Sequence, residues 1–298
     1  MNETVFLSDF FDSHFFHVCT DGTRNNVIYT CDEDFEQANI ISALCSWKCN
    51  VNILCMCHMS THSHFLVECD DISQARKFIN SFKHNYGQYF RIKYNISSAY
   101  RDIDSTPTEI CSLHRIRKCI SYILLNPVKA KIVRYCEEYK WSSFHAYFNR
   151  NTLDSTSVGT LGERERRSRF KTRYKLDNAK FKIHADGSLD VNSVVDSKKV
   201  EFLYGTREQF YASLNTTDSI SEEELYVHNT VRYNDMEIIA EAIHQADKRF
   251  HKASLSMLTK WEKKQIASTL KSKTGASPKR LARIFMVSVS EMEGLFKT

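Results

Sequence analysis

Two histidines one residue apart, His62 and His64 in "MSTHSHFLVE" (59–68), raise the question of chemistry in this chain. In a strand successive side chains point to opposite faces, so the two imidazoles project together across Ser63. Placed that way they can hold one metal ion or touch one phosphate. The alternative is two polar residues on a solvated sheet face. A second polar pair lies in "SYILLNPVKAK", where Tyr122 and Asn126 stand four residues apart and share a helix face if the helix reaches that far. Ile120, Ile123 and Leu124 can then face a core and leave the phenol and the amide as neighbours. The alternative here is a buried tyrosine with one hydroxyl partner, beside an asparagine that caps a helix before Pro127.

The elements that must position these residues follow from patterning. "HFFHVCT" (14–20) is apolar and aromatic with strand propensity, and turn-rich "DGTRNN" follows it. "DEDFEQANIISALCSWKC" (32–49) has acids in its first turn and Phe35, Ile40, Leu44 and Trp47 at helical spacing. "VNILCMCHM" (51–59) and "HFLVEC" (64–69) read as adjacent strands, and 71–90 reads as a helix with Ile72, Ala75, Phe78, Ile79 and Phe82 on one side. Residues 91–110 read as irregular or extended. A further helix over 111–126 is expected to end at Pro127. This order points to an α+β fold, a ferredoxin-like antiparallel sheet with helices on one face.

With 298 residues the chain has room for about two domains. Hydrophobic residues make up 42% and charged residues 26%, with only 8 Gly and 3 Pro, which argues against long low-complexity linkers. The net charge of +5 is too small to name a polyanionic partner by itself. No basic leader precedes an apolar run, and no stretch approaches the roughly 18 apolar residues of a membrane span. The expectation is a cytoplasmic protein with no membrane partner, nucleoid-associated when bound to DNA. All 10 cysteines occur by Cys136, and in a reducing compartment they are expected as buried small hydrophobes. Zinc on Cys45, Cys49, Cys55 and Cys57 is the rival, but paired C-x-x-C knuckles are missing.

Composition shifts near residue 150. Polar "NRNTLDSTSVGTLG" and basic "ERERRSRFKTRYK" lead into a region where "KIHADGSLDVNSVVD" reads as strand and turn and "REQFYASL" as a helix. The basic run is either a solvated helix or linker, or a nucleic-acid contact. Further on, Thr259 and Glu262 have capping-box spacing, Ser277 and Pro278 open a short helix, and Ser288 and Glu291 open another after a tight turn. Two short helices across such a turn, with Ala282 at the crossing, read as a helix-turn-helix, although Met286 stands where Gly is favoured. The expected division is 1–149 catalytic, 150–230 a basic linker and small mixed region, and 231–298 helical and DNA-binding.

Taken in order, "FHVCTDGTRNNVIY", "MSTHSHFLVE", "YILLNPVKAK" and "EEYKWSSFHAYF" (137–148) resemble the single-tyrosine transposases of the HUH superfamily, nearest the REP-associated tyrosine transposases. The resemblance covers roughly residues 14–148. It implies that His62, His64 and Asn126 bind Mg²⁺ or Mn²⁺ and that Tyr122 is the nucleophile. Thr61 and Ser63 depart from the family's usual Asn and hydrophobe. A phenol of pKa near 10 attacks a phosphodiester poorly unless phosphate charge is neutralised and the bond is placed in line. The implied reaction nicks and rejoins single-stranded or hairpin DNA, with palindromic repeats as candidate targets, through a 5′-phosphotyrosine. Lys83, Arg91, Lys93, Arg101, Arg115 and Lys129 are the expected phosphate contacts, with Lys279, Arg280 and Arg283 in the helical region. Monomer and homodimer both stay open. The competing readings are a non-catalytic DNA- or RNA-binding regulator on the same scaffold and a zinc-binding structural protein.

Overall fold

A computed structural model describes residues 10, 13–20, 27–96, 100, 105–149, 154–172, 175–216, 235–274 and 276–296. Its described residues fall into two compact units, one drawn from 14–110 and 116–216, the other from 10, 13, 111–115 and 235–296.

The first unit is built on four strands, β1 (His14–Cys19), β2 (Asn52–His58), β3 (Ser63–Cys69) and β4 (Thr108–Glu109), in the order β2-β3-β1-β4. Every neighbouring pair is antiparallel. Helix α1 (Asp32–Cys49) connects β1 to β2, and α2 (Ile72–Tyr94) follows β3. This is the split βαβ arrangement, and the α+β reading holds. Phe65 of β3 meets Phe78 and Phe82 of α2 edge to face, so β3 residues of its parity look toward the helices. Asn85 of α2 donates to Cys45 Sγ of α1, which places the two helices side by side.

Two boundaries differ from the sequence reading. Helix α2 runs through Arg91–Tyr94, where an extended segment was expected, and stops at Asn95 in a left-handed conformation (φ 54°). Asp71 caps its start by accepting from the Gln74 amide. Helix α3 (Leu113–Lys129) carries Pro127 inside its last turn. The missing proline N–H costs only one bond there, and the Pro127 carbonyl still accepts from Ile132.

Residues 137–148 close the outer edge of β2. His58 N–H donates to the Trp141 carbonyl, the Ser143 hydroxyl accepts from Met56 N–H, and the Tyr139 and Tyr147 hydroxyls donate to the His58 and Leu54 carbonyls. An edge strand with its donors and acceptors satisfied is not a template for another chain. Farther along the same edge, Asp196 N–H donates to the Ile53 carbonyl.

The stretch 150–230, set apart by composition, holds β5 (Ser155–Ser157), α4 (Glu163–Phe170), β6 (Lys182–His184), β7 (Leu189–Asp190), α5 (Ser197–Tyr204) and α6 (Arg207–Thr216). Phe170, Leu176, Phe181, Ile183 and Leu189 bury against Ala43 and Leu44 of α1. Helix α1 therefore packs on two sides, and its apolar residues run round it rather than along one stripe.

Among the described residues, the second unit has four α-helices, α7 (Asp235–Phe250), α8 (Lys260–Thr274), α9 (Pro278–Ile284) and α10 (Val289–Phe296), around Ile238, Ile266, Leu270, Leu281, Phe285 and Met292. The capping box at Thr259 and Glu262 is formed in both directions, and Ser277 and Ser288 accept from Arg280 and Glu291 amides. Met286 takes φ 52°, the left-handed turn position between α9 and α10.

Candidate active site

Strand alternation puts Ser63 and His64 on opposite faces of β3. Ser63 turns toward the helices, and its hydroxyl lies 2.6 Å from Tyr29 Oη and 2.7 Å from His58 Nδ1. The serine that replaces a hydrophobe is thus a buried but satisfied polar residue. His64 turns to the other face, beside His17 of β1, with Cys19 directly opposite it in the β1–β3 pairing. His62 sits in the connection just before β3 rather than within it. Its ring nevertheless converges with that of His64, with the two Nε2 atoms 2.9 Å apart.

The other ring nitrogen of each histidine is engaged. Thr61 Oγ1 lies 2.9 Å from His62 Nδ1, and His17 Nε2 lies 3.2 Å from His64 Nδ1. When Nδ1 carries the proton toward these partners, both Nε2 lone pairs face one point. Two lone pairs this close repel unless one is protonated or a cation sits between them. Two metal–nitrogen bonds of about 2.1 Å at a right angle would set the nitrogens about 3.0 Å apart, so the donor pair fits a divalent ion. Burial lowers His17 to about 4; burial foremost, then the neighbouring His62 and His17, takes His64 well below its ordinary value. His64 is therefore held neutral, the form that ligates.

Tyr122 comes to the same face from α3. Its buried ring stands nearly perpendicular to those of His64 (centroids 5.5 Å, 85°) and His17 (5.8 Å, 89°), and Lys129 Nζ lies 5.3 Å from its centroid. Asn126 is half-buried one turn on, and its amide nitrogen donates to the Tyr122 carbonyl, an arrangement that keeps the carboxamide oxygen out of that bond. The histidine pair and the tyrosine are thus brought together from positions about sixty residues apart in the chain.

The basic residues named from sequence divide. Arg91 and Lys279 are exposed, Lys83 reaches Ser105 and Arg115 is half-buried. Lys93 is committed to Asp34 at 2.8 Å and Glu33 at 2.9 Å. Burial would raise the Asp34 carboxyl, but hydrogen bonds from Lys93, Thr30 and Tyr94 outweigh it and hold it well below the usual range. Arg280 and Arg283 both pair with Asp235. Arg101 lies outside the described residues.

Sequence reasoning missed His17, Cys19 and Thr61 as members of the site. The usable signal was the H-x-C alternation in "FHVCT", which gives β1 the same two-residue pattern as the histidine pair. The expectation that the cysteines are buried fails for Cys31 and Cys111, which are exposed, and for half-buried Cys19. Among the described residues, Cys45, Cys49, Cys55 and Cys57 do not form a metal-capable group; Cys19, His62 and His64 do.

An antiparallel ferredoxin-like domain that sets a metal-capable histidine pair against a helix-borne tyrosine is the class these observations define. Residues 10–102 match the family model for "Transposase IS200 like". The match spans the histidine pair and ends before Tyr122. A solved structure described as "Structure of the REP associates tyrosine transposase bound to a REP hairpin" is similar over 49% of this chain and 84% of that one, at 20% identity and a TM-score of 0.34. No curated protein matches the chain. Among the described residues, no helix is long and apolar enough to cross a membrane.

Proposed function

We propose that the chain is a DNA strand transferase that opens and rejoins single-stranded or hairpin DNA through Tyr122. The observation that carries this reading is the Tyr122 ring packed against His64, whose Nε2 lies 2.9 Å from that of His62. A divalent ion, Mg²⁺ or Mn²⁺, held by His62, His64 and the Asn126 oxygen would neutralise charge on the scissile phosphate.

The chain's own residues do the rest. The Tyr122 oxygen attacks phosphorus, the phosphorus–O3′ bond breaks, and the 5′ side remains joined to the tyrosine. The phenol loses its proton, and the departing 3′ oxygen takes one up. Because one phosphodiester bond is exchanged for another, the free 3′-hydroxyl can reverse the step without ATP. His17 and Thr61 fix the rings of His64 and His62, and Lys129 places positive charge beside the phenol. Lys83, Arg91 and Arg115 offer phosphate contacts. Lys93 is left out of that surface because its charge is committed to Asp34 and Glu33. Residues 231–298 are proposed to add a DNA-binding helix-turn-helix, with Lys279 available to phosphate.

The test is incubation with end-labelled single-stranded hairpin DNA and Mn²⁺, followed by denaturing electrophoresis. A protein–DNA adduct lost in Tyr122→Phe is the expected result. DNA retention by both proteins with no adduct over a range of hairpins would leave the non-catalytic regulator as the better reading.

A further inference from the structure

The cluster around the histidine pair contains a donor that this mechanism does not use. Cys19, His62 and His64 present Sγ and ring nitrogens that all lie within 4.8 Å of one another. Cys19 arrives by strand register: it is the β1 residue directly opposite His64 of β3, and directly opposed antiparallel residues share a face. It is half-buried and takes part in no disulfide. The site is therefore built from two adjacent strands and the connection that enters one of them, with Thr61 and His17 already holding the two rings.

We infer that Cys19, in place of the Asn126 oxygen, is the third protein donor to the ion at His62 and His64, so that the site takes a thiophilic divalent ion of the Zn²⁺ or Co²⁺ class in preference to Mg²⁺. The inference rests on reading the histidine pair as a metal site. Sulfur and imidazole together select borderline and soft ions, whereas Mg²⁺ requires octahedral oxygen ligands and keeps much of its water. In a tetrahedral site a thiolate and an imidazole nitrogen are about 3.5 Å apart and two imidazole nitrogens about 3.4 Å, so the sulfur closes in and the two Nε2 atoms open from 2.9 Å by modest side-chain adjustments. Coordination exchanges the thiol proton for the ion and releases that proton to solvent. Three protein donors leave one position open, which is the coordination pattern of catalytic rather than structural sites. A phosphate oxygen of a DNA strand is the ligand class that position would take.

Cobalt titration of the full chain under reducing conditions tests this without any DNA. The expected result is binding of one Co²⁺ with visible d–d bands and an intense near-ultraviolet thiolate-to-metal band. That charge-transfer band is lost in Cys19→Ser and Cys19→Ala but kept in Cys31→Ser, which alters an exposed thiol elsewhere. Zn²⁺ affinity, by competition, falls at least about tenfold in the Cys19 variants, since even residues that only orient ligands cost this much. Far-ultraviolet dichroism of each variant establishes that it is folded. A charge-transfer band that is absent in the parent chain, or unchanged in both Cys19 variants, overturns the inference. The two readings fail differently: Co²⁺ binding lost in His62→Ala and His64→Ala but untouched in Cys19→Ser defeats the cysteine alone. Binding untouched in the histidine variants defeats the metal site itself.

Discussion

Replacing Ser63 with alanine tests whether the polar network behind the histidine strand holds that strand in place. The hydroxyl is 2.7 Å from His58 Nδ1 and 2.6 Å from Tyr29 Oη, and all three residues are buried. Tyr29 keeps a second hydroxyl neighbour, Tyr100, at 3.2 Å. His58 has no such reserve, because among the described residues its Nε2 is buried without a hydrogen-bond partner. Alanine therefore leaves an imidazole with no hydrogen bond, at about 1–3 kcal/mol, and weakens a tyrosine, at about 0.5–1 kcal/mol. The sum is about 1.5–4 kcal/mol, which at an m-value of roughly 2 kcal/mol/M lowers the urea midpoint by about 0.8–2 M. The measurement is urea unfolding followed by tryptophan fluorescence in a Trp261→Phe background, so that Trp47 and Trp141 report on the first unit alone. Adding His58→Phe to Ser63→Ala removes the orphaned group and is expected to restore more than about 1 kcal/mol. A Ser63→Ala chain within about 0.5 kcal/mol of the parent would refute this account of the serine.

Acid should destabilise the same unit well before carboxylates protonate. Burial holds His17 at about 4, His58 at about 3 and His64 well below its ordinary value, whereas each titrates near about 6.5 when unfolded. Above about 6.5 neither state is protonated and stability is complete; as pH falls the unfolded chain binds protons that the folded chain refuses. Each histidine then removes about 1.4 kcal/mol per pH unit until its folded value is reached, and urea midpoints between pH 7.5 and 4.5 read the slope. A flat profile would contradict the burial assigned to these rings. In the second unit, Met286→Gly relieves a left-handed conformation at a side chain that is 91% exposed, and should stabilise that unit by about 1 kcal/mol in thermal melts.

Local chemistry announced much of this molecule. Capping residues marked helix starts at Thr259, Ser277 and Ser288 because a short side chain beside orphan N–H groups leaves a readable spacing. Helix ends were less readable. Pro127 forbids one hydrogen bond but not the final turn, and nothing in "RIKY" marks a stop before Asn95 takes its left-handed turn. At the site, periodicity paired His62 with His64, and helix spacing paired Tyr122 with Asn126. The partnership of His64 with His17 and Cys19 depends on how β1 registers against β3, a long-range property that no local window contains. Lys93 looked available because Asp34 is distant in sequence, and only the packing of α1 beside α2 brings the charges together.

That dependence on register gives the tail motif "WSSFHAY" a role distinct from chemistry. Its side chains and carbonyls close β2, whose partner across the ladder is β3, and the pairing carries a register shift between Ile53 and Cys55. A one-residue slip of β3 would turn His64 toward the helices and Ser63 toward Tyr122, exchanging an imidazole for a hydroxyl. Ser63 is held against that slip by Tyr29 and His58 on one face, and His64 by His17 on the other. The Ser143 hydroxyl, bonded to the Met56 backbone from outside the sheet, pins the neighbouring strand beside the shift. The buried polar groups of this domain thus act mainly on which way β3 faces. Their loss should appear at the histidine pair as weakened binding of the proposed metal ion even where overall stability is only modestly reduced.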